Sequence, residues 1–93
     1  MDEDFVFNMA IEKYGAYAQS LMLMEEMAEL QKEICKSYRG KDNAEQIAEE
    51  IADVEIMRAQ IKMIYGVADK AAEWREVKVK RLLERLRGEK GGK

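Results

Sequence analysis

The chain has 93 residues, 47% of them apolar and 38% charged, with no proline, no histidine and a single cysteine. A chain this short buries only about 60–65% of the surface its unfolded form exposes, so its own core is marginal and a covering partner is expected. Intrachain disulfides, histidine chemistry and most zinc sites are excluded. No apolar run approaches the length of a membrane span, and the acidic start Met1-Asp2-Glu3-Asp4 is unlike a signal peptide. These features point to a reducing, cytoplasmic setting, and any metal here would be a hard ion held by oxygen.

The residue types favour helix over strand. Gly15, Gly40, Gly66 and Gly88 fall about one helix apart and punctuate the chain. The first helix is expected around Asp4–Tyr14. The second runs over Ala16–Tyr38 and stops at Arg39-Gly40, with glycine supplying the turn. The third starts near Asp42-Asn43, where Asn43 followed by Gln46 resembles a capping box, and ends at Tyr65-Gly66. The fourth begins with Asp69 as N-cap and runs to Arg87-Gly88. One domain over 1–88 and an unstructured tail over 89–93 follow. Apolar residues recur at helical spacing in the second segment (Leu23, Met27, Leu30, Ile34) and the third (Ile47, Ile51, Val54, Ile61, Tyr65). The expected fold is an all-α, four-helix bundle completed by dimerisation or tetramerisation.

The net charge of −3 conceals an asymmetry. Up to Trp74 there are 8 Lys/Arg against 16 Asp/Glu, −8; from Arg75 onward there are 8 against 3, +5. Within the acidic part, Glu26 and Glu29 share a face of the second helix, and Glu50 and Asp53 share a face of the third. Both pairs border the apolar stripes. If the stripes face each other, four carboxylates converge, and their repulsion and desolvation call for protonation or a divalent cation. Mg²⁺, or Mn²⁺, would be held by these oxygens, activating a water and holding phosphate oxygens. The same acids also read as a solvated helix edge, and spacing alone leaves both open.

Glu25-Glu26-Met27-Ala28-Glu29-Leu30 and Glu49-Glu50-Ile51-Ala52-Asp53-Val54, separated by a 20-residue spacer from Leu30 to Glu49, resemble the paired Glu-x-x-Glu and Glu-x-x-Asp motifs of the MazG-type all-α nucleoside triphosphate pyrophosphohydrolases. The resemblance extends over most of the chain and is to short phage and bacterial members. It implies Mg²⁺-dependent cleavage of an NTP or dNTP to NMP and pyrophosphate. Glu26, Glu29, Glu50 and Asp53 would be the metal ligands and catalytic groups. It also implies a fourth-helix phosphate site matching Lys78 and Arg85, although Leu82 stands where relatives carry Asn.

Lys78, Arg81 and Arg85 lie on one face of the fourth helix and are the candidate phosphate-binding cations; a solvated basic face is the other reading. Arg58 falls among apolar neighbours and should have a carboxylate or phosphate partner. Gln19, on the Glu26 face, is the candidate for base or sugar binding, the alternative being contact with water. Tyr14, Tyr17, Tyr38, Tyr65 and Trp74 are expected in core or interface. The missing histidine disfavours the related phosphoribosyl-ATP pyrophosphohydrolases. From a different class, a non-catalytic helical dimer with a basic C-terminal helix accounts for the same faces. Binding of nucleic acid rests on tail charge alone and is not expected.

Overall fold

A computed structural model describes residues 1–92, with side chains to Gly88; the last helix continues past its expected end at Gly88 to Gly92, through most of the tail expected over 89–93, and residue 93 lies outside the described residues. The fold is all-helical among the described residues. Its helices are α1 (Glu3–Tyr14), α2 (Ala16–Tyr38), α3 (Ala44–Tyr65) and α4 (Ala68–Gly92). Three boundaries agree with the spacing of the glycines. At Gly66 the left-handed conformation (φ 64°, ψ 37°) lets its N–H reach the carbonyls of Lys62 and Met63, closing α3.

Asp2 caps α1 by accepting from the Phe5 N–H at 3.2 Å. Two other caps differ from expectation. Asp69 sits inside the first turn of α4 rather than at its N-cap. The expected capping box at Asn43 is also absent. The Asn43 side chain is buried and turns toward α2, where its Nδ2 donates to the Glu33 carbonyl at 2.9 Å and to Glu33 Oε1 at 2.8 Å. The Nδ2 donor is satisfied across the hairpin, whereas Oδ1, the atom that would cap α3, is buried without a partner.

The hairpin of α2 and α3 is the body of the molecule, with α1 laid against both and α4 packed on α3 alone. Its antiparallel register is pinned in two places. Near the α2 start and the α3 end, Gln19 Nε2 donates to Gln60 Oε1 at 2.7 Å, with both amides buried. Near the connecting loop, Asn43 holds Glu33. Few apolar side chains are fully enclosed; Met57 is the buried hydrophobic residue. The radius of gyration is 17.0 Å, against about 12 Å for a compact domain of this length. The excess comes from α4, whose residues from Ala72 to Gly88 are all exposed, Trp74, Leu82, Leu83 and Leu86 among them.

Candidate metal centre

The Gln19–Gln60 bond dictates what lies beside it. Seven residues forward from Gln19 is Glu26, and seven back from Gln60 is Asp53. Seven residues is close to two helical turns, so the same facing sides meet again, now as carboxylates. One turn further, Glu29 and Glu50 come level. The amide pair therefore sets the register that assembles the acids.

Glu26, Glu50 and Asp53 each place a carboxylate oxygen within 4.8 Å of the other two. All three are half-buried. Glu50 is the most constrained: its Oε1 is cut off from solvent and has no hydrogen-bond partner. Burial first, then the charges of Glu26, Asp53 and Glu29, hold the Glu50 carboxyl above the usual carboxylate range. Glu29, the fourth expected ligand, is not in the close cluster. It is exposed and pairs with Lys32 one turn along the helix at 3.4 Å. Its charge still reaches Glu50.

The donor set suits a hard divalent cation. Oxygens bound to one Mg²⁺ at about 2.1 Å lie roughly 3 Å apart when adjacent and about 4.2 Å apart when opposite. Ligand atoms within 4.8 Å of one another need only small side-chain adjustments to reach that geometry. A cation would also supply the partner that Glu50 Oε1 lacks.

The other candidates are distributed differently. Lys78, Arg81 and Arg85 line one shallow cavity of about 300 Å³ on α4. Lys78 and Arg81 lie 6.0 and 5.9 Å from the Trp74 ring centre, within cation–π range. Because α4 packs on α3 and not on α2, the single chain does not gather this basic row around Glu26. Gln19 meets neither water nor an open pocket; it is buried and committed to Gln60. Arg58 has no ion pair among the described residues. It lines an α3–α4 groove of about 690 Å³ with Lys62, Trp74, Arg75 and Lys78. Tyr14, Tyr17, Tyr38, Tyr65 and Trp74 are exposed in the single chain rather than buried in its core.

Sequence reasoning missed Gln60, the Asn43–Glu33 clamp, and Lys62 and Arg75 in the groove. Gln60 had a usable signal, since it repeats the Asp53 position seven residues on. Comparison of the chain with protein-family models, curated proteins and solved structures finds no match.

Proposed function

We propose that this chain is a Mg²⁺-dependent nucleotide pyrophosphohydrolase of the MazG type, working as a homodimer or homotetramer and cleaving an NTP or dNTP to NMP and pyrophosphate. The observation that carries the reading is the meeting of Glu26, Glu50 and Asp53 around a buried, unpartnered Glu50 oxygen. A cation bound there would offset the cost at neutral pH, where a shared proton would otherwise be needed. Mn²⁺ satisfies the same oxygen donors. The absence of any helix long and apolar enough to cross a membrane, among the described residues, agrees with an aqueous substrate.

In this reading a bound ion would supply Lewis-acid chemistry at the phosphates and a more acidic water. The chain's own groups do the rest. Glu26, Glu50 and Asp53 would hold the ion, and Glu29 would leave its Lys32 pair to join them. Lys78, Arg81 and Arg85 would hold the polyphosphate, brought to Glu26 by a further copy in a homotetramer, because one chain keeps them on α4.

Pyrophosphate release from a panel of (d)NTPs with Mg²⁺ tests the reading. Release of pyrophosphate rather than single phosphate is expected from at least one nucleotide. Full activity in both Glu50→Gln and Asp53→Asn would remove the site assignment. The exposed apolar and basic faces of α4 favour a second reading, a non-catalytic helical interaction module. That module would show no rise in melting temperature with Mg²⁺ and no hydrolysis.

A further inference from the structure

The face of α2 turned away from α3 carries Tyr17, Leu21, Met24, Ala28, Gln31, Cys35 and Tyr38, at alternating intervals of four and three. This is the heptad spacing of a helix–helix seam. All seven residues are exposed, while Gln19, Leu23, Glu26 and Leu30 on the opposite side are buried or half-buried. The seam is complete in spacing and uncovered.

Charge identifies what covers it. Glu25 and Lys32 occupy the same flanking position in successive heptads. When two such seams meet antiparallel about a two-fold axis between Ala28 and Gln31, Glu25 of each copy faces Lys32 of the other. A parallel meeting sets that flank against Met27 and Ile34, which offer it no charge. The small Ala28 sits near the crossing, where close approach of the two backbones is needed. Lys32 is already held on this side of α2 by Glu29, in an exposed pair that costs little to rearrange. The buried apolar core of one chain is slight, as expected for a protomer whose remaining apolar surface is closed by another.

We propose that the α2 outer stripe is the two-fold seam of a homodimer, antiparallel, with Met24 of one copy beside Cys35 of the other. This inference rests on the homo-oligomer part of the proposed function and not on its chemistry. The register is self-complementary, so the contact closes at two copies and does not propagate.

Native Cys35 is the probe. In the proposed register the two Cys35 Cα atoms stand on the order of 16 Å apart, eleven residues' rise, beyond the roughly 7 Å that a disulfide spans. The wild-type full chain, oxidised with diamide, should stay uncrosslinked. Met24→Cys should give a disulfide-linked dimer through Cys35. Mass spectrometry must place that bond between copies, because the two thiols are too distant along one helix to join. Lys62→Cys, on another helix face, should not link. In sedimentation equilibrium, Glu25→Lys or Lys32→Glu alone should weaken dimerisation by about tenfold, and the two together should restore it. A wild-type Cys35–Cys35 disulfide, an unlinked Met24→Cys chain, or a double reversal no better than the single ones would each overturn the seam. Pyrophosphate release is scored separately. Hydrolysis without the link overturns the seam alone; the link without hydrolysis overturns the hydrolase reading alone.

Discussion

Replacing Gln60 by Leu should show how much the buried amide pair contributes. Gln19 and Gln60 are 7% and 3% exposed and joined at 2.7 Å. Gln60→Leu keeps volume but leaves the Gln19 amide without its acceptor in a place water does not reach. Stranding a buried donor costs about 1–3 kcal/mol, whereas removing both partners is close to neutral. Gln19→Leu is the mirror case, and the Gln19→Leu/Gln60→Leu double variant should recover most of the loss. For a chain of this size each kcal/mol moves the melting temperature by about 4–8 °C. Each single variant should therefore melt roughly 4–24 °C below wild type, with the double variant near it. The assay is a double-mutant cycle in urea and heat, followed by helical circular dichroism at one protein concentration. Additive effects, or single variants as stable as wild type, would refute the reasoning. The same cycle separates structural from substrate roles for Gln19. As a register clamp it should couple to Mg²⁺ affinity through Glu26 and Asp53, and a base-reading role would instead appear as a change in nucleotide preference.

The remaining predictions concern charge. The Glu50 carboxyl binds its proton more tightly folded than unfolded. Its contribution to stability is therefore present at low pH and is lost as pH rises from the ordinary glutamate value of 4.5 through the raised one. Without metal, melting temperature should fall across that window in wild type and stay flatter in Glu50→Gln. At neutral pH, Mg²⁺ at about 100 times its dissociation constant should stabilise wild type by about 2.7 kcal/mol and Glu50→Gln hardly at all, read by thermal shift. Asn43→Ala removes both bonds to Glu33 and should cost about 1–3 kcal/mol in a urea melt. It should also raise the Glu33 carboxyl, held low first by the Asn43 hydrogen bond, in a carboxyl NMR titration. Neutralising Lys78, Arg81 and Arg85 together should weaken triphosphate binding by about tenfold or more while leaving the Mg²⁺ thermal shift unchanged, measured by calorimetry.

What the sequence determined by itself was local. Helix-favouring composition and glycines at Gly15, Gly40 and Gly66 marked three turns, because backbone conformation there depends on the residue itself and its nearest neighbours. The i, i+3 spacing of the acids placed each pair on one helix face for the same reason. Which oxygens actually meet was decided in three dimensions. Glu26, Glu50 and Asp53 converge because the buried Gln19–Gln60 bond sets the hairpin register, and Glu29 stays outside the close cluster, exposed beside Lys32 on its own helix. Asn43 turned its Nδ2 to Glu33, ten residues back, and Gln19 lost its expected exposure when Gln60 on the other helix offered it a partner. Hydrogen bonds and burial of that kind depend on residues ten or forty positions away, and no short-range pattern encodes them.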